Sequence, residues 1–474
     1  MTTATTHENV SEWLEERQNR FTAISDEIWS KPQVALAETE ACALQSSELA
    51  ADGFEITPNV GGMPTAFMAE WGQGRPFIGL LGEYDALPGL SQKAQSIQEP
   101  MVPEGPGHGC GHNLLGTGAM AAAMALKAWL QATGRPGTVR YYGCPAEETL
   151  VGKVFMARAG VFDDLDAAIT WHPSSFPSIS RGSALAMDNI KFRFSGRTAH
   201  AAAHPEQGRS ALDAVELLNI GVNFLREHVI EQARIHYVIT DGGGAPNVVP
   251  DRAEVWYFVR APERDQVEAI TARVRKIAQG AALMTETTLD ERYQCGCYNV
   301  LPNEALADLA DQALRELGTM EFTDAEQEYA RTIGEGFPPG TRETMVRAQG
   351  LPSELLAQPL VSAVQPSFDA GKVMSGSTDV GDVSWITPTV TVLTTCSPIG
   401  VPGHSWGITA TGSMSIGHKG MLQAAKGMAI TGVELFTNPD VLEKARAEFE
   451  RATAGRRYTT PIPEGIEPPQ PMTR

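Results

Sequence analysis

Within Gly107-His108-Gly109-Cys110-Gly111-His112-Asn113, a cysteine and two histidines interleave with glycine. Cysteine binds a metal as thiolate and histidine as neutral imidazole. Glycine keeps side-chain bulk away, so Cys110 and His112 can turn toward one point. A C-x-H pair alone is only suggestive, and its weight depends on donors in other loops. Such donors follow in Pro145-Ala-Glu147-Glu148, in Trp171-His172-Pro173 and in Pro398-Ile-Gly-Val-Pro-Gly-His404. Five ligand-type residues at one edge exceed what a single zinc needs, so two metals are expected. Of the paired glutamates, one can ligate. The other can take a proton from a metal-activated water and pass it to a leaving amine. Asp85 is the carboxylate placed to orient a ligating imidazole.

These loops need a common edge. Pro76–Gly82 is an apolar run of the kind a buried strand shows, and the Glu83–Gly89 loop follows it. Val139–Tyr142 leads into the glutamates and Ala167–Trp171 into His172. Residues 114–130 predict a buried helix and 151–159 another, with Gly160 suited to its C-cap. Strands alternating with helices predict an α/β fold with a largely parallel sheet, and such sheets place their sites just beyond the strands. Leu14, Phe21, Ile24 and Ile28 predict one opening helix, ended by Pro32. The pattern resumes at Pro388–Leu393, and the last substantial helix is expected at 413–435. Residues 322–368 show no assignable pattern. The proline-rich tail from Thr459 is expected to lie extended over the surface or a neighbour.

After Met187 the pattern changes. Strands at 190–194, 234–239, 253–259 and 287–293 alternate with helices at 211–228 and 265–284. This is the β-α-β-β-α-β order of a ferredoxin-like unit. The expected organisation is a discontinuous catalytic domain, 1–186 and 299–474, with an inserted domain at 187–298. Cys295-Gly-Cys297 reads as two small residues alternating along its last strand.

The chain has 474 residues, enough for two or three domains. Its net charge of −20 disfavours nucleic-acid binding and means that an anionic substrate needs a local basic anchor. Six scattered cysteines do not form a disulfide framework. No apolar run reaches membrane-spanning length, and the polar start does not resemble a signal peptide, so a cytoplasmic protein is the default expectation.

Taken in order, Gly82-Glu-Tyr-Asp85-Ala-Leu-Pro, His108-Gly-Cys110-Gly-His112-Asn, Pro145-Ala-Glu147-Glu148 and Trp171-His172-Pro resemble the amidohydrolase branch of the aminoacylase/carboxypeptidase metallopeptidase family. In style they are close to the p-aminobenzoyl-glutamate hydrolases and the indole-acetyl-amino-acid hydrolases. The resemblance spans nearly the whole chain. It implies a zinc-peptidase-like catalytic domain with an inserted ferredoxin-like α+β lid that dimerises. It implies two divalent ions, zinc or manganese first, cobalt or nickel as substitutes, held by Cys110, His112, Glu148, His172 and His404. Glu147 becomes the general acid/base and Asp85 the orienting carboxylate. In the lid, Ser195-Gly-Arg-Thr-Ala-His200 implies a histidine that polarises the scissile carbonyl in a partner's site. Asn247, in Gly242-Gly-Gly-Ala-Pro-Asn247, and Arg260 imply contacts to the substrate, the arginine holding a carboxylate bidentately. Two positions depart from the pattern. Glu83 stands where many relatives carry a ligating histidine, so that ligand is expected to be lost, with Cys110 compensating. Asn113 stands where the branch often has aspartate.

The implied activity is hydrolysis of an N-acyl or N-aroyl amino acid, p-aminobenzoyl-glutamate first, by attack of a metal-bound hydroxide. Its rivals are a dipeptidase acting on a free-amine substrate and a non-catalytic or partner-dependent subunit of a hetero-oligomer. Taken singly, the same residues read otherwise. His172 before proline would be a structural loop residue, Cys110 a small buried hydrophobe, Glu147-Glu148 a solvated helix start and Arg260 a surface ion pair. His108 reads as a loop residue, not a ligand. It is joint occurrence, in family order, that favours the hydrolase.

Overall fold

The structure is a computed structural model and describes residues 3–472. Its larger sheet has seven strands, in spatial order Glu55–Pro58, Phe67–Gln73, Gly137–Cys144, Phe77–Glu83, Ala167–Ser174, Thr389–Thr395 and Ser178–Ser180. The four from Gly137–Cys144 to Thr389–Thr395 are mutually parallel, with Leu80 opposite Tyr141 and Ile169, and Leu393 opposite His172. The other three pair antiparallel at the flanks. The expectation of a largely parallel sheet therefore holds only for its centre, where both faces are covered and continuous apolar runs such as Ile78–Leu81 are buried.

The helix His112–Thr133 lies on one face. Ala119 through Leu126 are buried without interruption, so it is a core helix rather than an amphipathic one. It packs against Ser415–Thr437 and the opening helices. Those opening helices are two, Thr3–Glu16 and Gln18–Ser30, broken at Arg17, whose backbone leaves helical geometry. Residues 322–368, unreadable in the sequence, contain the helices Asp324–Glu335 and Thr341–Ala348. A further helix, Pro439–Thr453, follows the one expected to be last, and starts with the proline at its first turn.

A second sheet runs Thr288–Cys297, Ala186–Ser195, Arg252–Ala261 and Arg234–Asp241, all antiparallel. The helices Ala211–Leu225 and Arg264–Thr285 pack together against this sheet. Cys295 and Cys297 are free and buried in its first strand. Strand Arg234–Asp241 is an edge, with Tyr237, Val238 and Ile239 exposed, as are Phe224 and Leu283 on the helices. One apolar cluster runs from Leu81, Tyr142 and Phe155 beneath the first sheet to Phe192 and Tyr257 of the second. The tail from Thr459 crosses the chain's own surface. Ile462 is buried in that cluster, and the Met472 amide donates to the Ala35 carbonyl at 3.0 Å.

Candidate metal centre

Because the central strands are parallel, the loops that follow them leave one edge of the sheet. Phe77–Glu83 delivers Asp85 there, Gly137–Cys144 the glutamates, Ala167–Ser174 carries His172, and Thr389–Thr395 precedes the loop of His404. His112 opens its helix directly after Gly111, whose φ of 80° is left-handed backbone that favours glycine. Ala146 and Leu150, on either side of the glutamates, and His404 itself also hold positive φ without being glycine. Such strain concentrates where surrounding structure fixes a site.

Three groups of donor atoms lie within 4.8 Å of one another: Cys110, His112 and His172; Cys110, Glu148 and His404; and Glu83, His112 and Glu147. The Cys110 Sγ lies 3.3 Å from His172 Nε2, and His404 Nε2 3.4 Å from Glu148 Oε2. The structure thus gathers all five sequence-expected ligands, together with Glu147. His404, 57% exposed in its side chain, forms the open rim.

The hydrogen bonds fix which imidazole nitrogen is free. His112 Nδ1 donates to Asp85, at 2.9 Å to Oδ1 and 3.1 Å to the carbonyl. His172 Nδ1 donates to the Pro173 carbonyl at 2.8 Å. Each ring then turns an Nε2 lone pair into the cluster. His112 Nε2 and Glu148 Oε1 are buried with no hydrogen-bond partner. Orphaned buried acceptors are costly, and a sulfur, nitrogen and oxygen set aimed inward is the chemistry of a transition-metal site. The residues present therefore fit divalent ions. Asp85 also accepts the Glu148 amide through Oδ2 at 2.9 Å, tying two ligand loops together.

Burial dominates the acid–base character here. It pushes the Cys110 thiol up to about 12, with Glu148 adding to the effect. It raises Glu148 to about 7 against the pull of His112. Glu147 is raised well above the usual range by burial and then by Glu83.

Sequence reasoning missed the support behind this cluster. Lys153 is fully buried, its Nζ 2.6 Å from Glu83 Oε1 and 2.6 Å from Asp379 Oδ1. Asp379, which in sequence reads as a pocket residue or a capped turn, also takes the Lys153 amide at 2.8 Å. Glu83, expected to be a lost ligand, stands inside the cluster with Oε2 3.3 Å from His112 Nε2. A lone lysine within apolar Gly152-Lys-Val-Phe-Met156 was the available signal. Glu38 accepts the amides of Leu36 and Ala146 at 2.8 and 2.9 Å. Asn113 departs from the family pattern for a structural reason: its amide donates to Ser25 Oγ at 2.9 Å and the Gly412 carbonyl at 2.8 Å, joining the ends of the chain. His108 is buried against the Ile28 carbonyl and belongs to none of the donor groups.

A cavity of about 640 Å³ opens on the cluster and is lined by Cys110, Glu147, Glu148, His172, His404 and, from the second sheet, Arg260. Arg260 makes no ion pair among the described residues, and its buried Nε lacks a partner. Burial pulls its guanidinium below the usual range. An unpaired, half-buried guanidinium in a cavity is a place for an anion. His200 and Asn247 are not brought to this cavity. Both are exposed, near each other, with the Ala201 amide donating to the Asn247 carbonyl at 3.0 Å.

The profile of Peptidase family M20/M25/M40 matches residues 79–405. The chain is 46% identical over 97% of its length, and 98% of the relative's, to a p-aminobenzoyl-glutamate hydrolase subunit of Escherichia coli. It is 29% identical over 93% of its length, and 91% of the relative's, to the Xaa-Arg dipeptidase of Mus musculus. Among solved structures, a dinuclear metal-binding peptidase of family M20 from Bacillus subtilis shares the fold at 18% identity, with a TM-score of 0.57 over 89% of this chain and 99% of that one. Among the described residues no helix is long and apolar enough to cross a membrane. The chain belongs to peptidase family M20/M25/M40 and is a metal-dependent amide hydrolase.

Proposed function

We propose that this chain hydrolyses the amide of an N-acyl or N-aroyl amino acid, with p-aminobenzoyl-glutamate the first substrate to test. The observation that carries this reading is the unpaired Arg260 in the same cavity as the donor cluster. In a chain of net charge −20, that guanidinium is the local anchor a substrate carboxylate requires. Phe258 lines the same cavity and offers an apolar ring to an acyl or aroyl group.

In this reading Cys110, His112 and His172 would hold one divalent ion, and Cys110, Glu148 and His404 a second. Zinc or manganese suits this set, and cobalt or nickel can replace them. Bound there, the ions supply Lewis acidity to the carbonyl and acidify a water. Glu147 takes the proton from the attacking water and returns it to the departing amine nitrogen. Asp85 keeps His112 in the tautomer that presents Nε2. Arg260 holds the amino acid's carboxylate.

Residues 187–298 act as a lid and association domain, and 1–186 with 299–474 as the catalytic domain. The exposed edge strand with Tyr237, Val238 and Ile239 supports association through this domain. Exposed His200 and Asn247 then serve a neighbouring protomer's site, His200 at the scissile carbonyl. The neighbour is a second copy or, because the 46% relative is named as one subunit of its enzyme, a related chain. The test is hydrolysis of p-aminobenzoyl-glutamate and other N-acyl amino acids by the metal-loaded chain alone. A chain that holds metal yet cleaves none of them, alone or with a related chain, overturns the reading. Cleavage only of substrates with a free α-amine moves it to a dipeptidase, which the 29% relative represents.

A further inference from the structure

Glu83 and His112 face each other inside the donor cluster, and both belong to one of its three groups. His112 Nδ1 is committed as donor to Asp85, so Nε2 of the neutral ring is the atom free to bind an ion. Facing it at 3.3 Å is Glu83 Oε2, an acceptor, and no hydrogen bond joins them. His112 is fully buried and Glu83 is 2% exposed, so water does not screen the pair. A divalent cation between two donor atoms that converge out of water satisfies both. Separations near this are what two ligands of one ion show, given metal–donor distances of about 2.0–2.2 Å.

The other oxygen of Glu83 explains why the carboxylate stays there. Oε1 is held by Lys153 Nζ, which Asp379 grips from its far side, both at 2.6 Å. The Lys153 amide binds the same aspartate. The lysine thus fixes the rotamer of Glu83 and leaves Oε2 turned to His112.

We infer that Glu83 is a further metal ligand, donating through Oε2 to the ion that His112 holds, with Lys153 and Asp379 as its positioning residues. This rests on the two-metal reading above; Glu83 meets that ion through His112, the residue common to the Glu83–His112–Glu147 and Cys110–His112–His172 groups. Position 83 thereby keeps its place in the ligand set with a different donor atom, and Cys110 does not replace it.

The test is metal content and affinity, read without turnover. Wild type, Glu83→Gln and Lys153→Met are stripped with chelator, reloaded with zinc, and analysed by elemental analysis and competition with a chromophoric chelator. Glu83→Gln is expected to lose one of two ions, or to bind one of them roughly 10- to 100-fold more weakly, an effect of the size seen when a metal site loses a supporting group. Lys153→Met, which leaves the Glu83 carboxylate present but unheld, is expected to weaken binding of the same ion by clearly less than Glu83→Gln does. Two ions at wild-type affinity in folded Glu83→Gln overturn the inference. Equal loss from both variants also overturns it, because the Glu83–Lys153 pair is then only structural. If Glu83→Gln does not fold, Glu83→Asp replaces it, and unchanged affinity there counts against the inference in the same way. Wild type that binds no metal sinks the two-metal reading itself, a result distinct from any of these.

Discussion

The Asp85 carboxylate lies 2.9 Å from His112 Nδ1 through one oxygen and 2.9 Å from the Glu148 amide through the other. One buried side chain therefore sets both the tautomer of His112 and the position of the Glu148 loop. Asp85→Asn offers the imidazole an amide in place of a carboxylate. It is expected to weaken metal binding about 10- to 100-fold, measured by chelator competition. Unchanged affinity would mean that His112 is oriented by packing alone.

Glu147 is assigned the proton and not the metal. Glu147→Gln is expected to keep wild-type metal content while kcat falls roughly 100- to 10,000-fold. Elemental analysis alongside steady-state kinetics checks both halves. Turnover close to wild type removes the residue from the mechanism.

Arg260→Ala is expected to raise KM roughly 10- to 100-fold for substrates carrying the carboxylate, the scale of a lost charged hydrogen bond, with kcat changed much less. An amide analogue lacking the carboxylate should be a poor substrate for wild type and unaffected by the substitution. Equal cleavage of both substrates by wild type contradicts an anchoring role.

Glu38 gives a stability signature against pH. Burial, then the charge of Asp85, raises its carboxyl to about 8 from an ordinary 4.5. Below about 4.5 it is protonated in both folded and unfolded chains. Between 4.5 and 8 the unfolded chain releases the proton and the folded chain keeps it, so its contribution is lost as pH rises through 8. Glu38→Gln retains an acceptor for the Leu36 and Ala146 amides and removes the titration. The variant should gain thermal stability relative to wild type between pH 5 and pH 8.5, read as the difference in Tm. A constant difference across that range contradicts the assignment.

Val238 stands exposed in the middle of an edge strand. Val238→Lys places a charge where strand pairing would bury it. The expected result is a shift to monomer mass in light scattering, with folding intact by circular dichroism. An oligomer of unchanged mass moves the association surface elsewhere.

The ligand loops were legible because each follows a short apolar strand and carries donor residues of restricted type. That Cys110, His112, Glu148, His172 and His404 come together could be expected without coordinates. Helix Asp324–Glu335 was missed although Thr323 and Glu326 form a capping box that sequence inspection can find. Its low apolar content hid the periodicity. The break at Arg17 left no signal, since the apolar spacing runs on through it. Lys153 and Asp379 come from distant parts of the chain, and only folding reveals that they share a bond. Glu83 reads as a lost ligand when its residue type is compared with a histidine; that its carboxylate lies 3.3 Å from His112 Nε2 shows only in the fold.

Strand Thr389–Thr395 lies between Ala167–Ser174 and Ser178–Ser180, which are neighbours in sequence. The chain must travel through the whole second sheet before it returns to fill that slot. Pairings of such long sequence separation form late and slowly. His404 follows that strand, so the ligand set closes only once nearly all of the polypeptide has been synthesised and placed. Metal capture at the full site is then an end-of-folding event, and a nascent or truncated chain holds at most a partial, weaker site. The donor group of Cys110, Glu148 and His404 is thus completed after that of Cys110, His112 and His172.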